Sequence, residues 1–332
     1  MTTANLKRAR QAFTAILGQD CVLDEGTAQA HYGTDTTGAR RRLAGALRPA
    51  TGDAIAPIVE VARMQGVALH PISTGRNWGY GTALAVLDDV FILDLSQLKR
   101  ILDFDAELGT VTVEPGVTQG MLAEYLDQHA PEFLVPVTGA GPGASLMGNA
   151  LERGFGFTRN SDHASAILSL EAVLPDGRVY RSAMAEMGGS RVDRLYRWGI
   201  GPYFEGLFAQ NGFGIVTQVT LALARRPAAY GSLLFFVEDD QLEAAVQACR
   251  EILSTLPGIV PSMKFMNETM VMASTIPYPH HLVAPGDVMP PTLRSSLSRS
   301  ASIPPWSGYI TLYGTHATVK AARREIRRQL KR

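Results

Sequence analysis

Residues 75 to 81 read Gly75-Arg76-Asn77-Trp78-Gly79-Tyr80-Gly81, a Gly-x-x-x-Gly-x-Gly spacing with a cation and an amide inside it. Glycines tolerate positive φ and let the backbone approach a ligand closely. Successive N–H groups can then converge on an anion, while Arg76 adds charge and Asn77 adds amide hydrogen bonds. Pyrophosphate is the guest that suits such a cradle; the same glycines would also serve a plain tight turn. Three glycines after a strand could equally be the fingerprint of a Rossmann domain, whose loop opens directly into a helix facing the phosphates. Here Thr82 to Asp89 leads instead into a strand over Val90 to Leu95, which argues against a nicotinamide-type nucleotide domain.

Other residues with chemical potential have blander readings. Asp162-His163 are adjacent, and sequence neighbours seldom face one point, so structural hydrogen bonding is expected rather than acid/base work. His31, His70 and the His280-His281 pair lack ligand spacing with other His, Cys or carboxylates, and no metal site is expected. Cys21 and Cys249 are too few for a disulfide framework and read as buried small hydrophobes in a reducing compartment. Glu152-Arg153 reads as a local ion pair, a loop anchor or a ligand contact. Trp78 and Phe155 could face a ligand or simply pack. The runs Arg40-Arg41-Arg42 and Lys320 to Arg332 read as solvated loop and solvated helix face.

The elements that must position these groups follow from periodicity. In a chain of 332 residues, 46% hydrophobic, about two domains are expected. With 31 Lys plus Arg against 31 Asp plus Glu, no net field would draw in nucleic acid or acidic lipid. The first 18 residues read as a surface helix rather than a signal peptide, and no stretch reaches the ~20 apolar residues of a membrane span. A cytoplasmic protein with no membrane, nucleic-acid or metal partner is expected. After a polar loop from Gly33 to Gly45, Ile55, Ile58, Val59 and Ala62 predict a helix and Val67 to Ile72 a strand. Gly109 to Glu114 alternates valine and threonine as a half-buried strand does, and Thr118 can cap a helix carrying Met121, Leu122, Tyr125 and Leu126. A glycine-rich loop is expected from Pro136 to Gly148. Ile167 to Leu174, Pro175-Asp176-Gly177 and Val179 to Arg181 form a hairpin signal, and Gly214 to Leu223 reads as a strand. Arg225-Arg226-Pro227 is the expected domain boundary. Past it, strands at Leu233 to Val237 and Gly308 to Tyr313, a helix at Leu242 to Leu256, and a long loop from Pro277 to Pro305 predict an antiparallel sheet covered by helices on one face.

The segment Pro71-Ile72-Ser73-Thr74-Gly75-Arg76-Asn77-Trp78-Gly79-Tyr80-Gly81 resembles the pyrophosphate loop of the vanillyl-alcohol oxidase and p-cresol methylhydroxylase (PCMH) family of FAD-dependent oxidoreductases. Further blocks, in order, are similar to that family: Val113-Glu114-Pro115-Gly116-Val117, Ala144-Ser145-Leu146-Met147-Gly148-Asn149-Ala150-Leu151-Glu152-Arg153-Gly154, Asp162-His163, Gly201-Pro202-Tyr203 and Gly212-Phe213-Gly214-Ile215-Val216-Thr217. The resemblance is close over roughly residues 45 to 225 and looser to 330.

It implies an α+β fold: a PCMH-type FAD-binding domain of two α/β subdomains over residues 1–226, then a partial antiparallel-sheet cap, the substrate domain, over 227–332. It implies FAD as cofactor, with Pro71, Ile72, Ser73, Thr74, Gly75, Arg76, Asn77, Trp78, Gly79, Tyr80, Gly81 and Thr82 around the pyrophosphate. Thr138, Gly139, Ser145, Gly148, Asn149, Glu152 and Gly154 would line the flavin side, and Gly214, Ile215 and Val216 would lie along the cofactor. Tyr80 is the catalytic candidate: it matches the tyrosine that hydrogen-bonds a phenol substrate, with turn packing as its alternative reading. Val135 to Gly141 has no carboxylate where vanillyl-alcohol oxidase carries one, a departure from that enzyme's proton-transfer pattern.

The implied activity is hydride transfer to flavin N5 from a para-substituted phenol, aromatic alcohol or hydroxy acid. The alternative is an FAD-binding remnant or subunit without turnover. Oxygen or a carrier protein as electron acceptor, and a homodimer as the assembled form, both stay open. A helix on Val319, Ala322, Ile326 and Leu330 runs to Lys331-Arg332 with no glycine cap, so a chain truncated within its cap is expected, with exposed apolar surface and poor solubility.

Overall fold

The computed structural model describes every residue except 1, 2, 36, 37, 77–82, 157, 159, 190, 285 and 332. The chain divides into two compact units at Arg226/Pro227.

The first unit opens with a four-stranded sheet of order β1-β2-β4-β3, made of β1 (Val22–Leu23), β2 (Leu43–Leu47), β3 (Leu69–Ile72) and β4 (Val90–Asp94). Strands β2 and β3 both run parallel to β4, while β1 is antiparallel to β2. Helices α1 (Thr3–Leu17), α2 (Glu25–Tyr32) and α3 (Ile55–Gln65) accompany the sheet. The helical spacing of Ile55, Ile58, Val59 and Ala62 becomes a buried stripe, and Phe13 of α1 meets Phe91 of β4 edge-on at 5.2 Å between ring centroids. Two expectations are corrected here. The polar loop ends before Leu43, because Leu43, Ala44, Ala46 and Leu47 are buried in β2. Cys21 is only partly buried, whereas Cys249, in the second unit, is buried and its thiol is pushed up to about 11 by desolvation.

A second, antiparallel sheet has order β5-β6-β10-β8-β9, from β5 (Ile101–Asp105), β6 (Thr110–Val113), β8 (Ile167–Val173), β9 (Val179–Arg181) and β10 (Ile215–Ala222). A short ribbon pairs β7 (Phe133–Leu134) with β11 (Ala224–Arg225). Helices α4 (Gln119–His129), α5 (Leu146–Leu151) and α6 (Ala183–Glu186) complete the unit. Thr118 caps α4 by accepting the Met121 N–H at 3.2 Å. The β8–β9 turn closes as its residues predict, with Asp176 accepting Arg178 N–H at 3.0 Å. Strand β6 is not half-buried: all four residues are buried, because it lies between β5 and β10 and both its faces are covered. Its polar side chain Thr112 is satisfied by Thr220 Oγ1 at 2.9 Å.

The second unit holds an antiparallel sheet of order β12-β14-β13, from β12 (Ala229–Val237), β13 (Met263–Asn267) and β14 (Trp306–Gly314). Helices α7 (Leu242–Thr255), α8 (Glu268–Thr275), α9 (Pro291–Ser300) and α10 (His316–Gln329) belong to the same unit. Ile252 of α7 and Val319, Ala322 and Ile326 of α10 share one core with Ile310 and Leu312 of β14. The stretch Pro277 to Pro305 is therefore not one long loop. Pro291 starts α9 at the first helical position, where its missing N–H costs nothing, and Ser298 is buried and donates to Ile303 O at 3.2 Å. Among the described residues no helix is long and apolar enough to cross a membrane.

Candidate cofactor site

The first unit contains a cleft of about 600 Å³, bounded by residues 70–76 at the end of β3, by residues between 140 and 154 including α5, and by residues 208–216 leading into β10. That volume lies within the ~300–1,000 Å³ typical of ligand clefts. Of the residues that the sequence singles out, Pro71, Ile72, Ser73, Gly75, Arg76, Ser145, Gly148, Asn149, Glu152, Gly154, Gly214, Ile215 and Val216 line it together. Thr74, Thr138 and Gly139 do not line it, and Asn77, Trp78, Gly79, Tyr80, Gly81 and Thr82 lie outside the described residues.

Helix α5 is fixed against the strand loop by hydrogen bonds. Ser145 Oγ donates to Pro115 O at 2.6 Å and accepts Gly148 N–H at 2.9 Å, while Leu146 N–H reaches Val117 O at 3.1 Å. The Val113–Val117 block therefore serves as the seat of the helix that forms one wall. Gly148 lets this wall close on the loop from β3: a Cβ there would stand 2.3 Å from Ser73 Oγ. Arg76 lies over Gly143, with Nη1 2.9 Å from where a Cβ of residue 143 would be. Its guanidinium is exposed at the cleft, and among the described residues no acidic group pairs with it.

Several residues that build the site gave no signal in sequence. Gln119 is buried; its Oε1 accepts Thr138 N–H at 2.6 Å and its Nε2 donates to Gly141 O at 2.7 Å. This one amide staples the glycine-rich loop at Thr138 and Gly141. We expect Gln119→Leu to cost about 1–3 kcal/mol in all, because the two loop groups it releases are half-buried and partly recovered by water. Thermal unfolding should shift down by several degrees, and an unshifted midpoint would show the staple to be dispensable. Asp94 is buried at the end of β4, where it accepts Tyr32 O–H at 2.7 Å and Ser96 N–H at 2.9 Å, steadying the turn beside the lining residue Leu95. His70, Ala140, Met147, Phe208, Gln210 and Asn211 also line the cleft.

Asp162 and His163 turn to different partners. Asp162 accepts from the Ser165 hydroxyl and backbone, which holds its carboxyl below the ordinary range. His163 bonds Asn149. Glu152 and Arg153 form no ion pair among the described residues; the Glu152 carbonyl instead accepts Gln210 Nε2 at 3.4 Å. Burial lowers the pKa of both His70 and His163, with Asp162 opposing it at His163. Buried neutral imidazoles bind protons less readily than the unfolded chain, so their share of stability is complete above the ordinary value of 6.5 and is lost as the pH falls below it. Melting temperature should therefore decline from pH ~7 to ~5, and His70→Gln should flatten part of that slope. Identical slopes for both proteins would remove His70 from the account.

The cleft joins a glycine-bearing loop from a parallel strand to an antiparallel sheet, and residues 43–183 match the FAD binding domain family. The chain is an FAD-binding flavoprotein. It is 34% identical to the 1'-carboxy-chondrochloren decarboxylase of Chondromyces crocatus over 99% of this chain and 61% of that protein. It is 28% identical to the 4-cresol dehydrogenase [hydroxylating] flavoprotein subunit of Pseudomonas putida over 96% of this chain and 62% of that protein. A crystal structure of p-cresol methylhydroxylase with substrate bound superposes with a TM-score of 0.89 at 26% identity, covering 100% of this chain and 65% of that one. The chain is thus similar over nearly its whole length to PCMH-type FAD-binding flavoproteins, and spans a little over three fifths of these relatives' length.

Proposed function

We propose that this chain is the FAD-holding part of an oxidoreductase acting on a para-substituted phenol, an aromatic alcohol or a hydroxy acid. The observation that carries the reading is the convergence of Ser73, Arg76, Asn149, Glu152 and the Gly214–Val216 backbone on one cleft. Those groups suit an elongated dianionic cofactor: Arg76 offers a cation that no acidic group among the described residues pairs with, and main-chain N–H groups can add donors. FAD, when bound, supplies the redox chemistry by taking hydride at N5. In this reading residues 1–226 are the FAD domain and 227–332 belong to the cap over the substrate.

Tyr80 is assigned here as the residue that hydrogen-bonds a phenol oxygen. That contact would favour the phenolate, which pushes electron density toward the carbon losing hydride. The assignment rests on the family resemblance, as Tyr80 lies outside the described residues. The names of the two relatives describe a decarboxylase and a hydroxylating dehydrogenase, so carboxylated phenols belong in the substrate panel beside p-alkylphenols, aromatic alcohols and hydroxy acids. Oxygen or a carrier protein would take the electrons onward, and a homodimer is an assembly to test by sedimentation.

The experiment is anaerobic addition of each substrate class to the FAD-loaded protein while the flavin absorbance is followed. Bleaching by a phenol, an alcohol or a hydroxy acid is the expected result. Bound flavin that no member of the panel bleaches would instead mark an FAD binder without turnover.

A further inference from the structure

We infer that His163 is a positioning residue for the flavin cleft, holding the Asn149 amide in the one orientation that turns its NH2 group toward the bound ligand. The inference rests on the reading of the cleft as the FAD site.

Asn149 stands on α5 and lines the cleft. Its Oδ1 is engaged by His163 Nδ1. An amide carbonyl can only accept, so Nδ1 carries the imidazole proton and Nε2 presents a lone pair. His163 is only 3% exposed, and Nε2 has no partner among the described residues. The ring lies against Gly156, with Nε2 2.7 Å from where a Cβ of residue 156 would stand. The backbone also ties Asn149 to His163 through Gly154: Gly154 N–H donates to Asn149 O at 2.8 Å, and His163 N–H donates to Gly154 O at 3.2 Å.

An imidazole is a poor choice if the position only fills space. A phenyl ring would pack as well and would not bury an unpartnered acceptor. What the imidazole adds is a donor at Nδ1. An asparagine amide has two nearly isosteric orientations about its last bond, one presenting the carbonyl and the other the NH2. A donor fixed behind Asn149 selects the orientation in which Oδ1 faces inward and Nδ2 is left for the cleft. The cleft wall then shows a hydrogen-bond donor, complementary to the acceptor oxygens and nitrogens of a flavin dinucleotide. Without His163 the amide is free to turn, and its carbonyl would meet those acceptors unfavourably.

The test is FAD titration of the full chain, followed by flavin fluorescence, together with the visible circular dichroism of the bound flavin. His163→Phe should weaken FAD about tenfold and change the visible dichroism. His163→Asn, whose amide N–H stands close to where Nδ1–H stands, should restore affinity to within about threefold and recover the wild-type spectrum. His163→Gln, with its donor one bond farther out, should behave as the phenylalanine variant and replaces it should that variant fail to fold. Asn149→Ala should weaken FAD by a similar factor, and the Asn149→Ala/His163→Phe double variant no further, since both changes remove one interaction. Wild-type affinity and spectrum in His163→Phe, no rescue by asparagine, or additive losses in the double variant would overturn the inference. Failure of the unaltered protein to bind FAD would overturn the cofactor reading beneath it.

Discussion

Replacing Arg76 with alanine should weaken FAD binding by roughly one to two orders of magnitude, the equivalent of the ~1.5–3 kcal/mol of a hydrogen bond to a charged group. The Arg76 guanidinium is exposed at the cleft, lies over the bare backbone of Gly143, and has no acidic partner among the described residues. A cation so placed contributes little to the fold, so alanine should leave the melting temperature of the cofactor-free protein nearly unchanged. The planar fork matches phosphate oxygens two at a time, which a lysine ammonium cannot do. Arg76→Lys should therefore recover only part of the lost affinity. The check is calorimetric titration of the three proteins with FAD. Affinities within twofold of one another would show that the anion is held elsewhere.

The second large effect is structural. Gly116→Ala is expected to destabilise the first unit by about 1–3 kcal/mol, toward the upper end because the obstruction is backbone. A Cβ at residue 116 would lie 2.4 Å from Ser96 O and 2.7 Å from Leu98 O, and neither carbonyl can move by a rotamer change. Gly116 N–H already donates to Leu98 O at 2.6 Å, so the two segments are as close as hydrogen bonding allows. The displaced segments matter to the cleft. Leu95 lines it on one side, and Pro115 both lines it and accepts the Ser145 hydroxyl that caps α5. We expect the melting temperature to fall by several degrees and FAD affinity to fall with it. Thermal melts with and without FAD measure both, and an unaltered melt would mean that the 96–98 turn yields freely.

How much of this was readable from residues alone depends on whether the cause is local. The β8–β9 hairpin follows from Pro175-Asp176-Gly177, and α4 follows from Thr118 with its apolar spacing, because turn and cap chemistry act within a few residues. The cleft-lining blocks were legible for the same reason: glycines and small polar residues mark where backbone comes close to something. Strand β2 was obscured because Leu-Ala-Gly-Ala-Leu has no alternation once both faces are buried, and its Gly45 reads as loop. Helix α9 was obscured by its serines and prolines; only Leu293 and Leu297 mark its apolar side, while buried Ser298 closes its C-terminal turn on Ile303 and Arg294 ties it to Glu268 of α8 at 3.3 Å. Gln119 could not be found by spacing at all, and for His163, where structural hydrogen bonding was expected, the partner could not. Gln119 reaches Thr138 and Gly141, and His163 reaches Asn149, through tertiary folding that no short pattern encodes.

The central claim is that the cleft of the first unit holds FAD. The most direct measurement is titration of the cofactor-stripped 332-residue chain with FAD, read by flavin fluorescence and by the absorbance of the isolated complex. Saturable binding of one FAD per chain is expected, weakened in Arg76→Ala while the fold survives. A folded protein that stays colourless after incubation with excess FAD, or that binds it equally well without Arg76, would contradict it.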